Sequence, residues 1–255
     1  MLNNFIIPIL IFIFSLLIIF YILNLKKNNI YKNYVKKFNS DNIIQPINKN
    51  NWIVLLTTCI YPQLKKIDGT EYNKQEINDR KELYIKQINR WLNETNLQIV
   101  VVDSSGYKFT EIKNKRLTVI DFNIDDKLSS SSQYEAISII YALNKMEEMN
   151  ILNNYTHILK VTGRYFLENI ENILNNTEQD LDLYLQSHRN DDIKWQNTEY
   201  YGIKKDLLTP MLESIINKGL MENNLYNYSL DCNYTQIGPF KNNIKREDNL
   251  LIEYL

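Results

Sequence analysis

Arg164 stands where a strongly apolar run breaks, because Ile158-Leu-Lys-Val-Thr-Gly-Arg-Tyr165 places a guanidinium directly after a glycine turn. A guanidinium there either makes charge-assisted, bidentate hydrogen bonds to a phosphate or pairs with a carboxylate at the edge of the core. Lys160 lies inside the expected strand and has the same two readings. Thr162, Gly163 and Tyr165 are positioning residues around it. A second apolar run, Leu97-Gln-Ile-Val-Val-Val102, ends in Asp103-Ser-Ser-Gly106. Asp103 can accept a hydrogen bond from a nucleobase ring N–H, with Ser104 beside it, or it can close an Asx turn onto Ser104 and Ser105. A third run, Trp52 to Thr58, ends in Thr57 and Thr58. Ser129 to Ser132 precede a helical pattern, whose unpaired N–H groups favour an anion near Ser132. Ser132 and Glu135 read as an S-x-x-E capping box, which gives Glu135 a structural task.

Positioning these groups requires buried strands alternating with helices. Trp52–Thr58, Leu97–Val102, Leu117–Phe122 and Thr156–Val161 are continuous apolar runs of strand length, the pattern of strands covered on both faces. Gln75–Asn93 carries Ile77, Tyr84, Ile85, Ile88, Trp91 and Leu92 at helical spacing, and the segment after Ser132 does the same with Tyr134, Ile137, Ile140, Tyr141 and Leu143. Leu181–Leu185 and Glu199–Ile203 predict two more short strands, and Pro210–Asn217 and Met221–Tyr228 two more helices. The fold class is therefore α/β, a three-layer sandwich around a mostly parallel, Rossmann-like sheet. Ligands of such sheets bind beyond the carboxyl ends of the strands, where Thr57, Thr58, Asp103, Ser104 and the residues from Thr162 to Tyr165 gather.

Composition removes several alternatives. The chain has 255 residues, 29 Lys and Arg against 30 Asp and Glu, and a formal charge of −1, so it has no basic field for a nucleic-acid partner. Cys59 and Cys232 lack neighbours at zinc-ligand or disulfide spacing. P-loop, GxGxxG, G-x-S-x-G and H-x-x-x-H patterns are absent. Asp180-Leu-Asp182 precedes a strand instead of ending one and is discounted as a metal site, and His157 and His188 read as lone structural histidines.

The organisation expected is an anchor over residues 1–24, a polar tether over 25–50 and one domain over 51–255. Phe5 to Leu23 is apolar apart from Ser15, and at about 1.5 Å per residue it reaches roughly 28 Å, enough to span a bilayer. Lysines at 26, 27, 32, 36 and 37 follow the span, which predicts a single-pass protein with its C-terminal domain in the cytosol. Sequons at Asn93, Asn154, Asn175, Asn227 and Asn233 point the other way, but 36 Asn residues supply several by chance.

The order of elements from Asn51 to Leu185 resembles the nucleotide-sugar-binding half of GT-A type glycosyltransferases. The resemblance matches Leu55–Cys59 to their first strand, Val100–Gly106 to the strand whose Asp contacts the base, and Ser129–Ala142 to the helix facing the sugar phosphate. It also implies that Arg80 faces the donor crevice, where the bare sequence reads a solvated helical charge. The family's Asp-x-Asp metal motif would fall at Ile158–Tyr165, which carries no carboxylate. Lys160–Tyr165 is similar to a K-x-T-G-R-Y stretch of glycosyltransferases from bacterial surface-polysaccharide clusters and large DNA viruses, and Tyr200-Tyr-Gly-Ile203 fits their downstream segment. The resemblance implies a nucleotide-sugar donor and a carbohydrate or glycoconjugate acceptor; the missing Asp-x-Asp departs from it and predicts no obligatory divalent metal or other cofactor, since protein cations such as Arg164 and Lys160 can replace the metal charge. A carboxylate must then take the acceptor proton, and Asp191, Asp192, Glu199 and Glu222 lie in the acceptor region, with Glu222 preferred. The alternatives are a catalytically silent, membrane-tethered scaffold of the same fold, which the missing carboxylates support, and a nucleotidyltransferase, whose glycine-rich, lysine-containing start motif is absent. The expected topology is testable: protease added to the cytosolic side of sealed vesicles should digest the domain, and protection, or glycans on Asn93 and the other sequons, would reverse the orientation.

Overall fold

The computed structural model describes residues 51–66, 69–124, 128–187, 189–217, 220–238, 241–245 and 251–254. The expected span and tether lie outside the described residues. Among the described residues no helix is long and apolar enough to cross a membrane.

Strand β1 (Trp52–Thr58) is buried at every position and lies third in a seven-stranded sheet. It pairs in parallel with β2 (Gln98–Asp103) on one side and with β4 (His157–Thr162) on the other. Strand β3 (Leu117–Asp121) extends the sheet beyond β2, while β6 (Tyr200–Lys204), β5 (Leu183–Leu185) and β7 (Tyr234–Gln236) follow β4 in that order. Only β6 runs against the others, so the sheet is mostly parallel as the alternation predicts. A separate antiparallel pair, β8 (Lys241–Lys245) and β9 (Leu251–Tyr254), was not legible as strands in the sequence pattern.

Successive strand side chains point to opposite faces, and each face needs its own cover. Helix α1 (Lys74–Glu94) packs Tyr84, Ile88 and Trp91 against Val54, Leu56, Val101 and Leu159, with α3 (Ile170–Asn176) beside it. On the other face α2 (Ser131–Glu148), α4 (Lys205–Asn217) and α5 (Met221–Ser229) cover Ile53, Leu55, Val100 and Ile203. Helix α4 begins at Lys205, ahead of the expected Pro210, which sits inside it. Proline costs a helix one backbone donor, so it reads as a start from sequence, yet packing of Leu208, Met211 and Leu212 holds the turn before it.

The start of α2 differs from expectation in a way that matters below. Its N-cap is Ser130, whose Oγ accepts from Gln133 N, while Ser129 N and Oγ both donate to Gln133 Oε1. The capping box expected at Ser132 and Glu135 is not formed. With the cap at Ser130, Ser132 lies within the first turn and Glu135 in the second, on the face toward the sheet.

Gly202 in β6 crosses beneath Trp52, and a Cβ there would lie 2.8 Å from the indole ring and 3.0 Å from the Tyr184 Cβ. Both neighbours are core side chains. Gly202→Ala should therefore cost about 1–3 kcal/mol by overpacking, measured by denaturant unfolding of the full chain in detergent; an unchanged midpoint would show that the ring moves freely.

Candidate active-site crevice

Parallel register carries the ends of β1, β2 and β4 to one level, pairing Thr58 with Asp103 and Thr57 with Thr162. Beyond them opens a crevice of about 580 Å³. Of the residues expected there, Thr57, Thr58, Arg80, Ser104, Ser132, Thr162, Arg164, Tyr165 and Glu222 line it. Lys160 lies beneath the floor, fully buried.

Asp103 corrects the expectation of a base contact. It is fully buried, and its two oxygens accept from Thr58 Oγ1 (2.9 Å), Ile60 N (3.2 Å), Ser105 N (2.9 Å), Ser105 Oγ (2.6 Å) and Tyr107 N (3.1 Å). That is the turn reading, extended: one carboxylate ties the loops after β1 and β2 together. Thr58 spends its hydroxyl on the same task. Ser104 remains at the crevice wall, its N–H donating to Thr58 O at 3.2 Å.

Gly163 is required by close packing. Its N–H donates to Thr57 O at 2.8 Å, and a Cβ would sit 2.5 Å from Thr58 Cγ2. The turn that follows is closed by Tyr165 N to Thr162 O at 3.0 Å, and Trp91 Nε1 donates to Tyr165 O at 2.9 Å. Helix α1 thus fixes the segment that presents Arg164 to the crevice. Arg80, also on α1, donates from Nε to Cys59 O at 2.7 Å, with its guanidinium 5.6 Å from the ring centroids of Tyr72 and Tyr84. Its place is at the crevice, as the resemblance implied, and Lys65 and Lys66 line the same side.

Glu135, which the sequence reading gave a structural task, lies at the crevice instead. Its Oε1 pairs with Lys160 Nζ at 2.7 Å and accepts from Thr57 Oγ1 at 2.7 Å, and the residue lines the crevice. Lys160 Nζ also donates to Thr198 O at 2.7 Å and Thr162 Oγ1 at 3.2 Å. Its charge is therefore compensated by one carboxylate and two neutral oxygens. The clue was the spacing of Ser132 and Glu135, which share a helix face in either reading.

Glu222, in the first turn of α5, faces the same pair. Thr198 Oγ1 approaches its Oε1 at 3.3 Å, whereas its Oε2 is buried with no hydrogen-bond partner. Burial pushes the Glu222 pKa above the usual value of 4.5; its own N–H opposes this, the charge of Glu135 adds to it, and Thr198 and Lys160 pull it back. Asp191 is not part of the site: it is exposed, outside the crevice lining, and accepts from Tyr226 Oη at 2.9 Å. Its loop closes on itself through Asn190 and Trp195 and brings Trp195, not Asp191, to the crevice lining, and Asp192 is exposed as well.

Other ionisable groups have structural partners. Asp180 and Asp182 each pair with Lys204 at 3.1 Å, and His157 sits between Thr156 Oγ1 (2.8 Å) and Leu181 O (3.0 Å). His188 lies outside the described residues. Burial raises the Cys59 thiol pKa, which keeps it protonated at the crevice wall. Among the described residues no group of three His, Cys, Asp or Glu side chains converges to hold a metal ion.

No protein-family model matches the chain, and neither does any curated protein. Among solved structures it is similar to one described as a nucleotide-diphospho-sugar transferase from Desulfovibrio desulfuricans, at 12% identity and a TM-score of 0.45 over 73% of this chain and 79% of that one. A mannosyltransferase from Pyrobaculum calidifontis in complex with GDP-mannose and Mn²⁺ aligns at 12% identity and a TM-score of 0.43, over 81% of this chain and 61% of its own. A 4-diphosphocytidyl-2C-methyl-D-erythritol synthase from Anaerococcus prevotii aligns at 10% identity and 0.40, over 80% and 94%.

The raised Glu222 pKa has a defined sign in stability. The folded chain holds this proton more tightly than the unfolded chain, so stability falls as pH rises from about the usual glutamate value of 4.5 through the folded pKa. Glu222→Gln should flatten the fall of melting temperature between pH 4 and neutrality and melt above wild type at pH 7, with the gap closing in acid. Parallel pH curves for the two proteins would show that Glu222 carries no such strain.

Proposed function

We propose that this chain is a transferase that moves a sugar from a nucleotide-sugar donor to a hydroxyl acceptor, with protein cations in place of a divalent metal at the diphosphate. The observation that carries the reading is the presentation of Arg164 at the carboxyl end of β4, on a turn pinned from β1 by Gly163 and from α1 by Trp91. A cation so fixed costs no reorganisation when charge develops. The first turn of α2 opens on the same crevice through Ser131 and Ser132, and Arg80 and Lys65 supply further positive charge, whereas Lys66 is paired with Glu76 at 2.9 Å. Helix N-termini and guanidinium groups both favour phosphate oxygens.

In the proposed reaction the acceptor oxygen attacks the anomeric carbon while the bond from that carbon to the diphosphate oxygen breaks. The electron pair leaves on the diphosphate, which Arg164 and the start of α2 stabilise. The acceptor proton passes to Glu222, whose burial raises its basicity. In the same reading residues 5–23 hold the protein in the bilayer, with the domain on the cytosolic side.

Melting the full chain in detergent against UDP-, GDP-, CDP- and TDP-sugars, with EDTA present, should identify a stabilising donor by mass action. Arg164→Ala should then lower turnover of that donor, read as nucleotide release, by about 100-fold to 1000-fold, the usual effect of removing one preorganised charge stabiliser. Arg164→Lys should recover only part of it, since an ammonium cannot make the bidentate contact. No shift with any of the four nucleotides, or turnover abolished by EDTA and restored by Mn²⁺, would sink the reading.

A further inference from the structure

Cations and carboxylates reach the crevice from different elements: Arg80 from α1 and Lys65 from the loop after β1, against Glu135 from α2, Glu222 from α5 and Glu199 ahead of β6, with Arg164 at the end of β4. Helix α1 covers one face of the sheet and α2 and α5 the other. A nucleoside diphosphate seated on Arg80, Lys65 and Arg164 leaves its sugar to the carboxylates.

A buried acceptor in the crevice lining has no hydrogen-bond partner and is suited to a ligand's hydroxyl group: Glu222 Oε2. Below the lining, in the core, the Tyr201 hydroxyl also has no hydrogen-bond partner. Its ring centroid lies 5.6 Å from Lys160 Nζ, and the negative charge of Glu135 adds to the desolvation that pushes its pKa well up. Unpaired buried polar atoms cost free energy, and a native site tolerates them where a ligand completes the set. Lys160 and Thr57 both bind Oε1 of Glu135, which holds the carboxylate in one orientation at the crevice wall. Lys160, fully buried beneath the carboxylates, is thus already committed to Glu135, Thr162 and Thr198.

Resting on the transferase reading, we propose that Glu135 and Glu222 select the donor by the charge of its sugar: they accept hydrogen bonds from hydroxyl or ammonium groups of a neutral or amino sugar and reject a sugar that carries a carboxylate. A uronic acid placed there would meet the Glu222 carboxylate beside the Lys160-paired Glu135, with Lys160 already committed beneath them. Like charges brought together in this way discriminate more strongly than the loss of a single hydroxyl contact.

The test uses the full chain in detergent and matched esters of whichever nucleotide binds, one carrying glucose and the other glucuronate. The two differ only in the oxidation state and charge at C6. Dissociation constants from calorimetry should favour the glucose ester by at least about tenfold. Glu222→Gln should narrow that ratio while the affinity for the free nucleoside diphosphate stays within about twofold. Glu135→Gln should narrow it too; because it strips Lys160 of its partner and can unfold the chain, Glu222→Gln serves as the independent variant. Equal or tighter binding of the glucuronate ester, or a ratio unmoved in the folded Glu222→Gln variant, overturns the assignment while nucleotide binding stands. Failure of every free nucleotide to bind overturns the transferase reading, and this assignment with it.

Discussion

A lysine ammonium fully buried within the central sheet is the constraint on which the crevice depends. Transferring such a charge from water costs several kcal/mol even after relaxation, and the cost is offset only by close partners in the right geometry. Lys160 finds them on three separate pieces of chain: Glu135 from α2, Thr162 at the end of its own strand and the carbonyl of Thr198 ahead of β6. Thr57 at the end of β1 binds the same glutamate oxygen. One cation therefore sets how the helix and three strand ends meet, and the crevice is the space left above that junction.

Asp103 performs the corresponding task on the other side with the opposite charge. Five donors surround it, which stabilises the carboxylate and leaves it no capacity for a ligand. Glu222 shows the contrary arrangement, since one oxygen has a single long contact and the other has none. Burial alone does not separate these two carboxylates. What separates them is whether the hydrogen-bonding capacity is already filled by the fold.

The same distinction applies to the glycines and aromatic residues that frame Arg164. Gly163 lets the turn after β4 lie against β1, and the indole of Trp91 fastens that turn to α1, so the guanidinium is presented by well-packed secondary structure on both sides. A group built in this way can be effective because its position is established by packing before any ligand arrives.

Much of this was legible in the residues themselves. Apolar runs of strand length such as Trp52–Thr58, bounded by turn residues, read as buried strands, and the helical spacing from Ile77 to Leu92 reads as one covering helix, so the α/β class and the location of the crevice follow from local pattern. Arg164, Ser132 and Arg80 were readable as crevice residues because they occupy element ends or a resembling position. Short elements such as α3 and β7 were not, since Ile170–Asn176 and Tyr234–Gln236 carry too few apolar residues to show a period or an apolar run. Nor could the assignment of charges be read. Ser132-x-x-Glu135 satisfies the pattern of a capping box, and only the competing cap at Ser130 turns Glu135 toward Lys160. Asp103 matched a base-contacting residue until the loops around it supplied their donors, and Asp191 lay in the right region until Tyr226 claimed it. Composition and periodicity determine which segments are buried and in what order. Which polar groups satisfy one another inside, and which are left for a ligand, depends on contacts between residues far apart in the chain, and these exist only once the chain has folded.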